Sequence, residues 1–103
     1  MTNSDFEKEV TSHDLILIDF WATWCEPCKM LDEILKDLQQ RIPELYILKI
    51  DVDESPELKS TFTLMSVPVL MLYQEGKELW RMNGFMMAAE LEKTVRSLIR
   101  VIK

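Results

Sequence analysis

Cys25 and Cys28 are the residues of this 103-residue chain whose type and spacing best suggest chemistry. Two cysteines three apart can trade a disulfide with a client. The first thiolate attacks a client S–S bond, and the second sulfur is close enough to displace the client from the mixed disulfide. The spacing alone also fits metal binding or haem attachment. Zinc would need two further ligands, with only His13 and carboxylates on offer. Haem attachment would need histidine after Cys28, where Lys29 stands. Copper-carrying Cys-x-x-Cys domains typically have a preceding Met-x and another strand order. A bridge across so small a loop removes little unfolded-state entropy, so the pair is a poor staple.

The flanking elements strengthen the redox reading. Leu15–Trp21 is a run of apolar residues without alternation, as in a strand buried on both faces of a parallel sheet. After Cys25-Glu26-Pro27-Cys28, the residues Met30, Leu31, Ile34, Leu35 and Leu38 recur at helical spacing. Pro27 suits a first helical turn, and Pro43 stops the helix after Ile42. The cysteines therefore sit at a strand-to-helix turn. There the positive end of the helix dipole and unpaired backbone N–H groups favour thiolate.

The other elements follow from similar signals. Ser4-Asp5-Phe6-Glu7 fits a capping box, with Ser4 as cap, for a short helix to about Val10, and Thr11–Asp14 reads as a loop. Tyr46–Val52 reads as a second strand, and Ser55-Pro56 opens a short helix to about Phe62. Val69–Tyr73 is a third strand, and Gln74–Lys77 a hairpin turn leading to an antiparallel strand, Glu78–Met82. Asn83-Gly84 breaks that strand. A last helix presents Leu91, Val95, Leu98, Ile99 and Ile102 on one face. The order α-β-α-β-α-β-β-α predicts one α/β domain over residues 1–103, a mixed sheet with helices on both faces.

Composition excludes several classes. Twelve basic against eighteen acidic side chains give a net charge of −6, which repels phosphate backbones, so no nucleic-acid partner is expected. No apolar run approaches the roughly 18 residues of a membrane span. The N-terminus has neither the basic opening nor the apolar core of a secretory signal, and a cytoplasmic location is expected. Two glycines cannot supply a Gly-x-Gly-x-x-Gly loop, so no nicotinamide or flavin cofactor is expected.

Trp21-Ala22-Thr23-Trp24-Cys25-Glu26-Pro27-Cys28-Lys29-Met30, preceded by Ile18-Asp19-Phe20, closely resembles the active-site segment of thioredoxins. Val67-Pro68-Val69 resembles the family's cis-proline loop, and Gly84 matches a glycine after its last strand. The similarity runs from about Ser4 to the C-terminus. It implies the thioredoxin fold, here as a four-stranded mixed sheet flanked by helices, and thiol–disulfide exchange through Cys25/Cys28 without cofactor or metal. Cys25 would be the exposed nucleophile and Cys28 the buried resolving thiol. Asp19 would sit beneath Cys28 and help remove its proton, with Lys49 nearby moderating its charge. Trp24, Val67, Pro68, Gly84 and Phe85 would receive an extended substrate segment. The implied partners are protein disulfides and a thioredoxin reductase or equivalent electron donor.

Residue-level alternatives accompany these roles. Asp19 could face solvent at a strand end, Pro68 could be an ordinary trans proline, and Trp24 could be core. His13 is expected to be solvated, Asp51–Glu54 to be a solvated loop, and the seven methionines to fill the core, with Met86-Met87 extending the substrate surface as the alternative.

Three departures from the family pattern stand out. Glu26 replaces a common glycine. A carboxylate roughly 6 Å from the sulfur, at an effective dielectric near 60, shifts thiolate energy by about 1 kcal/mol, so Glu26 is expected to raise the Cys25 pKa. The usual N-terminal strand is missing, which would leave Tyr46–Val52 at an open edge. A monomer is expected, with edge-strand dimerisation as the alternative. Val69 stands where threonine is usual, and Met87 where a helix cap would suit Ser or Thr better. Two other functions stay in view: a reductase of extracytoplasmic thiols of the cytochrome c maturation type, and a binding module without redox turnover.

Overall fold

The computed structural model describes residues 1–100, and Ile102, assigned above to the last helix face, lies outside them. Helix α1 (Asn3–Ser12) leads into β1 (Leu15–Trp21), then α2 (Glu26–Arg41) and β2 (Tyr46–Asp51). A 3-10 turn (Val52–Glu54) and α3 (Pro56–Thr61) precede the hairpin β3 (Val69–Gln74) and β4 (Lys77–Asn83), and α4 (Ala88–Leu98) follows. The sheet order is β2-β1-β3-β4. β1 runs parallel to β2 and antiparallel to β3, which pairs antiparallel with β4. The central strands are covered on both faces, which is why β1 and β3 lack alternation.

One face packs Phe6 and Val10 of α1 and Leu58 of α3 on Ile16, Ile18 and Phe20. The other packs α2 and α4, through Leu31, Leu38, Leu91 and Val95, on Leu15, Leu17, Leu70 and Leu72. Among the described residues, β2 is an outer strand of the sheet.

Several local expectations are corrected. The cap of α1 is Thr2, not Ser4. Its hydroxyl accepts the Asp5 N–H at 3.1 Å while the Asp5 carboxylate accepts the Thr2 N–H at 3.2 Å, so the reciprocal box forms two residues earlier. α4 stops at Leu98, short of Ile99. The buried Gln74 side chain donates to the Arg100 carbonyl and accepts its N–H, both at 2.9 Å, which holds this segment extended rather than helical. His13 is not freely solvated. Its ring stacks on Tyr46 with centroids 3.7 Å apart. Nor do the methionines fill the core: Met71 is fully buried, whereas Met30, Met65 and Met87 are exposed. The hairpin turn is as expected, with Glu75 (φ +52°) and Gly76 (φ +81°) both left-handed, as a tight two-residue turn requires.

Candidate active site

Cys25 caps α2, and its sulfur accepts the N–H of Cys28 at 3.2 Å. This is the local interaction that would stabilise a thiolate there, added to the dipole of a 16-residue helix. The two cysteines are joined in a disulfide, with Cα atoms 5.3 Å apart. Cys25 is not the exposed member of the pair. Both residues are only 3% accessible, because in this oxidised form they pack into the cluster formed with α1 and α3.

Glu26 and Lys29 face solvent beside the pair and bridge each other at 3.1 Å. The carboxylate thus carries its own counter-ion, which weakens the field expected at Cys25. Pro27 occupies the first turn of α2, where its missing N–H costs no hydrogen bond.

Asp19 is fully inaccessible, and among the described residues neither carboxylate oxygen has a hydrogen-bond partner. The solvent-facing alternative is therefore excluded. Strand alternation puts Asp19 with Leu15 and Leu17 on the face beneath α2. Burial pushes its pKa up from 3.8 to about 7, opposed by the Lys49 ammonium and reinforced by Asp32. Lys49 is its register neighbour on β2. The ammonium turns away from Asp19 to Asp32, however, at 2.6 Å, and lies 4.8 Å from the centre of the Trp21 ring.

The residues expected to receive a substrate segment lie around the same end of the sheet. Trp24 is 66% accessible, so it is not core, and its indole N–H donates to Asp53 at 2.8 Å. Asp53 is itself held: the Asp51 carboxylate accepts its backbone N–H at 2.9 Å. The acidic stretch Asp51–Glu54 is therefore structured rather than a solvated loop, with Asp51 ending β2 and capping the 3-10 turn Val52–Glu54, and the Asp53 contact is missed by a reading that sees only a charged loop. Val67–Pro68 is a cis peptide bond. The Gly84 N–H donates to the Pro68 carbonyl at 2.8 Å, tying the two loops together, and Gly84 has φ +102°, a conformation side chains disfavour. Phe85 is half-buried against the core of α2 and α4, which gives it a packing role as well as a place beside Gly84. Asp32 was also missed; its only sequence signal is its place one helical turn after Cys28. Among the described residues there is no group of three or more His, Cys, Asp or Glu placed to hold a metal ion.

Comparisons with known proteins agree with this geometry. The sequence profile named Thioredoxin matches residues 1–97. Thioredoxin from Listeria monocytogenes is 39% identical over 100 residues, covering 96% of each chain. Thioredoxin from Rickettsia bellii is 42% identical over 83 residues, 76% of each chain. Mitochondrial thioredoxin 3 from Saccharomyces cerevisiae, in its oxidised form, superposes with a TM-score of 0.82 at 34% identity, covering 92% of this chain and 89% of that one. A thioredoxin variant from Halobacterium salinarum superposes with a TM-score of 0.86 at 27% identity, covering all of this chain and 90% of its own. With a Cys25–Cys28 disulfide at the N-terminus of α2, this chain belongs to the thioredoxin family and is a thiol–disulfide oxidoreductase that works by dithiol exchange.

Proposed function

We propose that the chain reduces protein disulfides, with Cys25 as nucleophile, Cys28 as resolving thiol and Asp19 as the base that serves Cys28. The disulfide at the cap of α2, with the Cys28 N–H directed at the Cys25 sulfur, carries this reading. In the reduced protein the Cys25 thiolate attacks one client sulfur and the other leaves as a thiolate. Cys28 then passes its proton to Asp19 and attacks the Cys25 sulfur. The Cys25–Cys28 bond forms, the client leaves as a dithiol after protonation, and two electrons have moved to it. A carboxyl group with a pKa about 7 is suited to take and return that proton near neutrality.

Trp24, Val67, Pro68 and Gly84 would form the docking surface, with Phe85 at its edge. An extended client segment beside Val67–Pro68 would find apolar contact there, and Asp53 would hold the Trp24 ring in place. Glu26 and Pro27 modulate the nucleophile without contacting it chemically. A thioredoxin reductase or an equivalent donor would restore the dithiol, and the family's electron-transport role would rest on that recycling.

We place this work in the cytoplasm, in one domain spanning the chain and acting as a monomer. The Listeria relative matches with 96% coverage of both chains, which supports this over the extracytoplasmic type with its extra insertion. Lys49, partly exposed on the outer strand, blunts that edge against pairing with a second copy. Insulin-disulfide reduction with dithiothreitol as donor tests the activity, and Cys28→Ala should trap a client on Cys25. Failure of both, or retained biological activity in a Cys25→Ser, Cys28→Ser double variant, would favour a non-redox binding module.

A further inference from the structure

Asp32 has no part in the exchange described so far, yet it determines where the charge nearest the buried carboxyl group goes. Lys49 and Asp19 are partners in the parallel register of β1 and β2, so the lysine stem starts beside Asp19. Its ammonium nevertheless ends 2.6 Å from Asp32, on α2. The bridge lines an open groove between α2 and β2, whereas both oxygens of Asp19 remain unpartnered inside. The strand on the other side of β1 contributes no charge, since β3 places Leu70 opposite Asp19. Cys28, one turn before Asp32 on the same helix, is uncharged in the disulfide, and Lys29 is taken by Glu26. Among the described residues, Lys49 and Asp32 are thus the charged groups that bear on Asp19.

We propose that Asp32 is a positioning residue for the dithiol exchange: by holding the Lys49 ammonium at the groove, it leaves Asp19 without a direct counter-ion and keeps it able to accept and return the proton of Cys28. This rests on the role of Asp19 given above. Two effects act together. Asp32 draws the cation away from Asp19, and its own negative charge cancels much of the field the cation still exerts there. Without Asp32, Lys49 keeps its contact with the Trp21 ring and its charge is no longer offset. Asp19 would then stay ionised to lower pH, and it would return a proton less readily.

The test compares Asp32→Asn, Lys49→Met, the double variant and Asp19→Asn. Both side chains of the bridge are about two-fifths exposed, at 41% and 40%, so these changes spare the core. The readouts are carbon-13 titration of the Asp19 carboxyl group and the pH profile of insulin-disulfide reduction. Asp32→Asn should lower the Asp19 midpoint by roughly one pH unit, and the acidic limb of the rate should follow. Lys49→Met should raise the midpoint, and in that background Asp32→Asn should have less than about half its effect, because no cation remains to be released. An unmoved midpoint in Asp32→Asn, or the same shift with and without Lys49, overturns the proposal even when Asp19→Asn abolishes the acidic limb. If Asp19→Asn leaves that limb in place, the base role itself falls, and the proposal with it.

Discussion

Replacing Asp19 with alanine should stabilise the oxidised protein, and the gain should depend on pH. In the folded chain the carboxyl group titrates at about 7, against 3.8 for the free group, because burial leaves both oxygens without partners. Below about pH 4 the group is protonated in both states and contributes no pH-dependent penalty. Between about 4 and 7 the unfolded chain has released this proton and the folded chain has not, so the unfolded state holds fewer protons and stability falls as pH rises. Above 7 both states are ionised and the penalty levels off. A difference from 3.8 to about 7, at about 1.4 kcal/mol per unit, gives a plateau on the order of 4 kcal/mol. Alanine removes that penalty and leaves a small cavity costing about 1 kcal/mol. The expected result is a gain of about 3 kcal/mol at pH 8.5, shrinking to nothing or to a slight loss near pH 4.5. Urea titrations of both oxidised proteins across this range measure it. Equal pH slopes for wild type and Asp19→Ala would refute the buried, unpartnered carboxylate as the origin of the effect.

Other expectations follow from single contacts. Glu26→Gln should lower the Cys25 thiol pKa in the reduced protein, but by less than the ~1 kcal/mol of an unpaired carboxylate, because Lys29 already bridges Glu26; ultraviolet thiolate titration at low and high salt checks this, and an unchanged or higher pKa would count against it. Asp53→Ala frees the Trp24 indole and should raise KM for a protein disulfide several-fold while leaving kcat nearly unchanged, read by steady-state insulin reduction. Gln74→Leu strips both hydrogen bonds from Arg100 and should cost about 1–3 kcal/mol, with faster amide exchange concentrated at Arg100. Sedimentation velocity over a hundredfold concentration range should give one monomer mass; a rising mass would indicate pairing along β2.

The sheet and its order of elements were legible because its signals are local. β1 and β3 read as buried strands from unbroken apolar runs, α2 from its periodic leucines and isoleucines, and the hairpin from Glu75-Gly76. Apart from the local choice of Thr2 over Ser4 as the cap of α1, the errors fall where a distant group decides the outcome. Arg100 looks like a continuation of α4 until the Gln74 amide, 26 residues earlier, engages its backbone. Lys49 looks like a partner for Asp19 until α2 brings Asp32 to it. His13 looks like a loop residue until β2 presents the ring of Tyr46. The exposed methionines are a different case, since their hydropathy resembles that of core residues and only the packing shows which side of the surface they occupy. The site itself was legible in Cys25, Cys28 and the residues around them, whereas Asp53 and Asp32 act through contacts across 29 and 17 positions that spacing cannot reveal.

Helix α2 belongs to both halves of the interior. Its first turn, with Cys25 and Cys28, is packed among side chains of the α1 and α3 side, whereas Leu31, Ile34, Leu35 and Leu38 are embedded on the opposite side of the sheet. The sulfur bridge therefore lies where the two packed layers meet along one helix. Opening or closing that bridge alters the seam, and both layers are placed to sense the change.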